Sequence, residues 1–409
     1  MINERRQKRL ERAKIKVTAE YDEELSLLKS RSDYLQEYDY FLQLIKEPVT
    51  AELLKKRINK PLAAVLCIQA PLELFYAFDL HPVKLCSGSH TAGRVAAPSL
   101  PVLMCPMLKA FIGSRELTED NFAAYKTVVL PTTCDWVVKL PEIMGILPDN
   151  LHYLELPHIK ETEKSQTRWL EEIIALKKHL ENITGKKLSV QSLSATINKF
   201  MKIWILLNSL IELKRNGQIS GIWYTLITNT FMLDDLDRWH EHLISLIDKL
   251  KALPPLPAGK QPKIFVAGSP IFFPNLKLLE LIETADMHVA ADDLCSSERL
   301  FPGGTVLRDT DEYGLLRALA ARYHQACICP TFADNERRIN NILSVAAENN
   351  IHGVIFNLLK GCHPYDIEAI TIERKIKAAG LKFIKIETDY GKEDSQNILT
   401  RLEAFRQTL

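Results

Sequence analysis

The 409-residue chain has no apolar stretch long enough to span a bilayer. Behind its basic N-terminus, MINERRQKRLERAKIKV, it also lacks the apolar core of a secretory signal. A cytoplasmic protein without a membrane partner is expected. Excess charge of either sign is missing as well: 52 Lys plus Arg against 51 Asp plus Glu leave a formal net charge of +1. That balance gives no electrostatic case for nucleic acid and leaves small molecules or proteins as partners. A Walker-type phosphate loop is absent, so the chain is not expected to hydrolyse ATP itself. Paired C-x-x-C knuckles, the usual mark of structural zinc, are absent too, as is a compact C-x-x-C-x-x-C run.

What is present divides the chain by texture. Residues 1–60 are charged, with Leu and Tyr recurring at helical spacing through YDEELSLLKSRSDYLQEYDYFLQLI, which predicts a helical N-terminal arm. From Pro61 short apolar runs alternate with turn signals: PLAAVLC, HPVKLC, LPVLMC, YKTVVLP and LHYLELP. Runs of this length read as buried strands of a parallel sheet, so 61–160 is expected to form a first α/β domain. A helical segment follows over 161–261 and closes on the linker PPLPAGKQP. The strand texture then returns in KIFVAG, MHVAAD, ACICP, HGVIFN and KFIKIE, each separated by a stretch that can form a helix, over 262–409. The expected fold is α/β, with two doubly wound, Rossmann- or flavodoxin-like parallel-sheet domains, the helical arm and a helical bridging segment.

Eight cysteines in a chain of this size do not read as a disulfide framework, which belongs to short secreted domains. Any one of them taken alone is ordinarily a small buried hydrophobe. Their joint placement is not ordinary. Cys67, Cys86, Cys105, Cys134, Cys295, Cys327, Cys329 and Cys362 all fall at or just past the C-terminal end of an expected strand, and the helical segment contains none. That edge of an open α/β sheet is where ligands collect. Thiolates delivered singly from several strand ends suit an iron-sulfur cluster held in a cleft between domains. Catalytic thiol chemistry is the weaker alternative, since no cysteine has a His partner in a local signature.

Five ordered motifs resemble the 2-hydroxyacyl-CoA dehydratase D-component family, which also holds benzoyl-CoA reductase subunits and double-cubane-cluster reductases. PLELFYAFDLHPVKLC is similar to its P-x-E-L-I-x-A-A-G segment, LMCPMLKAFIG to L-C-P-L-I-K-S-x-x-G, and TTCDWVVKLPEIM to T-T-C-D-G-K-x-K-M. GVIFNLLKGCHPYDIE resembles the D-G-V-I segment before a cluster cysteine, and IKIETDYGKEDSQNILTRLEAF the closing L-x-L-E-T-D-Y block. The resemblance implies that Cys105, Cys134 and Cys362 hold a 4Fe-4S cluster. Cys67, Cys86 and Cys295 exceed what a dehydratase subunit needs and resemble the double-cubane branch, whose larger 8Fe-9S cluster would take them as ligands; Cys327 and Cys329 are further candidates. The family's A-A-G reads Ala77, Phe78, Asp79 here, losing a turn glycine.

The resemblance also implies roles outside the cysteines. Glu73 stands where the dehydratases place a glutamate near the substrate hydroxyl; otherwise it is a helix N-terminal carboxylate after Pro71. His363 would hydrogen-bond a cluster sulfur or donate a proton; otherwise it is a solvated loop residue. The implied activity is an oxygen-sensitive iron-sulfur reductase acting on a small molecule and fed by a separate ATP-hydrolysing iron-sulfur activator protein. As a homodimer the chain would be that reductase. The alternatives are a subunit of a heterodimeric (R)-2-hydroxyacyl-CoA dehydratase, which makes a ketyl radical from a thioester, and a non-catalytic electron-transfer subunit. Lys and Arg of the N-terminal arm are a candidate docking patch for the activator.

Overall fold

Eight short segments rich in Val, Ile, Leu and Ala pair into two sheets. A computed structural model of the chain describes residues 2–119, 122–255, 261–301 and 303–409; the middle of the expected linker, 256–260, lies outside them. The first sheet contains β1 (Leu62–Val65), β2 (His81–Lys84), β3 (Val128–Pro131) and β4 (Leu151–Leu154) in the order β2-β1-β3-β4. The second contains β5 (Lys263–Gly268), β6 (His288–Asp292), β7 (Gly353–Leu359) and β8 (Lys382–Thr388) in the order β6-β5-β7-β8. Every pairing is parallel. Burial follows sheet position: β1, β3 and β7 are buried along their whole length, whereas the edge strands β4 and β8 are partly open. Continuous apolar runs at the centre of a parallel sheet reflect helices covering both faces.

The arm is a 28-residue helix, Ile2–Lys29. It seats Ala13, Val17, Tyr21 and Leu28 on the body and is pinned by the carboxylate of Glu20. That carboxylate accepts from Ser89 Oγ at 2.6 Å and from the backbone N–H of His90 at 2.8 Å, at the start of the helix His90–Ala96. An anion there meets the free N–H groups and positive end of the helix. The bridging segment is four helices, Glu163–Thr184, Val190–Arg215, Gly221–Asn229 and Leu236–Lys251, around the fully buried Trp169, Trp223 and Trp239. No described helix is long and apolar enough to cross a membrane.

Two expected strands do not form. LPVLMC is an extended turn with Val102 88% and Leu103 69% exposed, and ACICP is irregular. In both, side chains take the carbonyls that a neighbouring strand would have used: Lys109 Nζ donates to Val102 O at 2.6 Å, Arg299 Nη1 to Ile328 O at 2.7 Å, and Lys160 Nζ to Cys327 O. The apolar run length is the same as in a true strand, so periodicity does not separate the two cases.

Glycines at two positions let the halves close on each other. Gly361, at φ +77°, lies where a Cβ would sit 2.0 Å from Leu103 O, and Gly88 where one would sit 1.8 Å from Phe272 O. The Gly88 N–H also donates to Phe273 O at 3.1 Å. These contacts press the Cys362 loop against the Cys105 loop and the Cys86 loop against the chain leaving β5. Gly380 has a similar φ of +83° but open space around its Cβ position. Gly380→Ala should therefore cost about 1 kcal/mol from backbone strain alone, while Gly361→Ala should cost about 3 kcal/mol or more. Denaturant unfolding of the two variants checks the difference.

Candidate metal centre

The site begins with where parallel strands end. Cys67 follows β1, Cys86 follows β2, Cys134 follows β3, Cys295 follows β6 and Cys362 follows β7, while Cys105 and Cys329 come from the connections before β3 and β7. The carboxyl edges of both sheets face one cavity of about 120 Å³, and seven of the eight cysteines line it: Cys67, Cys86, Cys105, Cys134, Cys295, Cys329 and Cys362. Cys327 sits behind this wall, fully buried, with its Sγ accepting from Gln69 Nε2 at 3.7 Å.

Three of the thiols share one device. Cys105, Cys134 and Cys362 are the N-cap residues of the helices Pro106–Thr118, Asp135–Met144 and His363–Ala378. The backbone N–H groups of Met107 and Leu108 face Cys105, those of Trp136 and Val137 face Cys134, and that of Tyr365 faces Cys362. Pro106 opens the first of these helices and Pro364 lies in the first turn of the third, where a missing N–H costs nothing. A helix N-terminus favours thiolate over thiol. Cys67 is presented differently: its backbone is left-handed at φ +59°, and its Sγ lies 3.1 Å from Thr133 Oγ1. A non-glycine residue in that region costs of order 1 kcal/mol or more, and here it turns the side chain toward the cavity.

The loop carrying Cys295 is fixed from two sides. Asp292 accepts from Lys214 Nζ at 2.6 Å, from Ser297 Oγ at 2.8 Å and from the backbone N–H of Leu294 at 3.0 Å. Asp293 holds Arg338, which also pairs with Glu368. All of these ion-pairing side chains are buried.

The donor set decides what the cavity can hold. Its wall contains no His, Asp or Glu, and the described residues offer no group of three such ligands or cysteines placed for a single ion. Seven soft donors spread around an otherwise apolar volume fit an iron-sulfur cluster rather than one hard or borderline cation. Burial pushes the thiols up, Cys86 to about 12 and Cys105 to about 11, with Cys67, Cys134, Cys295 and Cys362 moving the same way. Without a cation these groups are neutral, and iron binding would release their protons. One cation without a carboxylate partner among the described residues, Lys84, lines this wall, and a second, Arg299, reaches it through Tyr365. Lys84 lines both the thiol cavity and a smaller neighbouring one of about 50 Å³ that Cys86 shares; burial pulls its ammonium down. Arg299, 4% exposed, donates to the Asp293 and Ile328 carbonyls and to Tyr365 Oη, with the Asp293 carboxylate close enough to act on its charge. One buried hydroxyl donor, Tyr390 Oη, packed near Cys362, also has no partner among the described residues. An unpaired lysine and an open hydroxyl donor beside a thiol wall are what a polyanionic cluster would complete.

The structure separates the other candidates from this wall. Glu73, fully buried, lies outside it: its carboxylate accepts from Tyr323 Oη at 2.6 Å and pairs with Arg322, which also donates to Thr305 Oγ1 at 3.1 Å. His363 is exposed on the first turn of its helix and does not line the cavity, although its neighbours Cys362 and Pro364 do. Lys84, Tyr365 and Tyr390 lie inside the quoted motifs, but nothing in their spacing distinguished them. Asp79, where the resemblance has a glycine, adopts φ +59° itself.

Comparison with known proteins gives a consistent setting. A family profile described as 2-hydroxyglutaryl-CoA dehydratase, D-component, matches residues 67–409. YjiM of Escherichia coli (strain K12), named as a dehydratase subunit, is 26% identical over 372 residues, covering 85% of this chain and 91% of the relative. The (R)-phenyllactyl-CoA dehydratase beta subunit of Clostridium sporogenes is 22% identical over 348 residues, covering 84% and 90%. The (R)-2-hydroxyglutaryl-CoA dehydratase subunit beta of Acidaminococcus fermentans is 22% identical over 393 residues, covering 90% and 98%.

The Glu73 pair generates a stability test. Glu73→Gln leaves Arg322 buried and unpaired, so unfolding free energy should fall by about 3–5 kcal/mol. Iron bound per folded chain should stay at the wild-type value, because neither residue lines the thiol wall; equilibrium unfolding and iron analysis check the two halves.

Proposed function

Because the chain belongs to the 2-hydroxyglutaryl-CoA dehydratase D-component family, we propose that it is an iron-sulfur enzyme whose cluster is held by the facing sheet edges. The observation that carries this is the seven-thiol cavity. One 4Fe-4S cluster takes up to four cysteines, so the thiol number supports a larger, double-cubane assembly with Cys67, Cys86, Cys295 and Cys329 added to Cys105, Cys134 and Cys362. Bound there, the cluster supplies low-potential single electrons. The chain's own part is to enclose it: Leu108, Val137 and Phe272 exclude water, and the three helix N-termini stabilise thiolate. The proposed reaction is reduction of a small molecule.

A second reading is a dehydratase subunit acting on a 2-hydroxyacyl-CoA, and the printed names of the relatives favour it. In that reading a subunit partner is required and one cubane suffices. In both readings, as the family resemblance implies, electrons come from a separate donor that hydrolyses ATP, this chain having no phosphate loop of its own. Lys8, Arg9, Arg12 and Lys16 of the arm, with His90 and Arg94, surround an open groove without an acidic residue, and this is the proposed docking surface for that activator.

Iron and sulfide analysis of anaerobically purified protein should give about eight irons per chain for the double cubane and about four for a single cubane; zinc in place of iron would sink both. Cys134→Ser should remove or weaken the visible chromophore, serine being close in size but a poor ligand for iron. An unchanged spectrum would return Cys134 to a packing role. Turnover should also need the activator, and Arg9→Glu with Arg12→Glu should slow activator-dependent turnover most at low salt. ATP consumed per product stays constant for a reductase and falls toward zero over many cycles for a dehydratase that recycles its electron.

A further inference from the structure

One pair of residues at the thiol wall has a fixed direction. Arg299 bridges the Cys295 loop to the connection carrying Cys327 and Cys329: its Nε donates to Asp293 O at 2.5 Å and its Nη1 to Ile328 O at 2.7 Å. Its remaining arm, Nη2, donates to Tyr365 Oη at 2.6 Å. With that lone pair occupied, the phenolic hydrogen must point elsewhere, and Tyr365 lines the cavity together with Cys295. Arg338 lies over the other side of the Tyr365 ring, 5.1 Å from its centroid, but is neutralised by Asp293 and Glu368. Arg299 shares the charges of Asp293 and Glu368 with Arg338 but makes no side-chain ion pair with either among the described residues, and its remaining donor reaches the wall through the phenol.

We propose that Arg299 is a positioning residue that, through the Tyr365 hydroxyl, hydrogen-bonds the Cys295 sulfur and raises the reduction potential of the part of the cluster that this cysteine holds. Hydrogen bonds to cluster sulfurs and nearby positive charge both favour the reduced, more negative form. This rests on the iron-sulfur reading above, and concerns only the potential of the part of the cluster that Cys295 would hold.

The test uses the full chain, purified anaerobically, with redox titration followed by electron paramagnetic resonance and parallel iron and sulfide analysis. Tyr365→Phe should keep wild-type iron and shift a midpoint to more negative potential. Arg299→Met should shift it the same way, and adding Tyr365→Phe to it should shift it less than the sum of the single changes, because the two act as one unit. Arg299→Lys, which keeps the charge, should recover part of the shift. An unmoved or more positive midpoint in Tyr365→Phe overturns the proposal, and so does loss of iron in that variant, which would make Tyr365 structural. Wild-type protein without iron would instead overturn the iron-sulfur reading itself.

Discussion

Everything at this site follows from drawing seven thiols into one cleft between two carboxyl sheet edges. In water a thiol can ionise freely; in this cleft desolvation pushes Cys67, Cys86, Cys105, Cys134, Cys295 and Cys362 toward the neutral form. The same enclosure that makes an empty site inert makes a filled one stable, since each thiolate then meets metal in a low dielectric with no competing solvent. The arrangement depends on backbone approaching backbone at Gly88 and Gly361, because a methyl group at either point would hold the halves apart.

Rigid loops make that enclosure specific. Lys214 with Asp292 and Glu298, and Arg338 with Asp293 and Glu368, are ion pairs taken out of water. Buried pairs of this kind seldom add much net stability over well-packed apolar side chains, but they tolerate few alternative geometries. Here they surround the turn that leads to Cys295. Lys277 plays a comparable part at the end of β8, donating to Thr388 Oγ1, Asp389 O, Gly391 O and Asp394, so that the chain around Tyr390 is tied down on every side.

Much of this was legible in the sequence. Continuous apolar runs located all eight strands, and the cysteines after β1, β2, β3, β6 and β7 marked the edge that carries the site. The errors have a common physical source. LPVLMC and ACICP have strand-like composition, yet their carbonyls are claimed by Lys109, Arg299 and Lys160 from elsewhere in the chain, a tertiary fact with no local signature. Cys327 and Cys329 are two residues apart, but only Cys329 faces the cavity. Glu73 stands in a recognisable motif, while its partners Arg322 and Tyr323 lie some 250 positions away. Arg299 could not have been singled out, since its place at the site comes through Tyr365, 66 positions away, rather than through a motif.

The two sheets share one strand order, and this sets thiols opposite one another in kind. Cys86 after β2 answers Cys295 after β6, Cys134 after β3 answers Cys362 after β7, and Cys105 and Cys329 occupy the corresponding connections. Cys67 has no counterpart: the chain leaving β5 continues with Ser269 and Pro270. A duplicated scaffold thus delivers three matched pairs and one odd donor, the one held by left-handed backbone. Whatever fills the cavity meets four sulfurs from one half of the protein and three from the other, so its two ends are chemically unequal even where the fold around them is nearly the same.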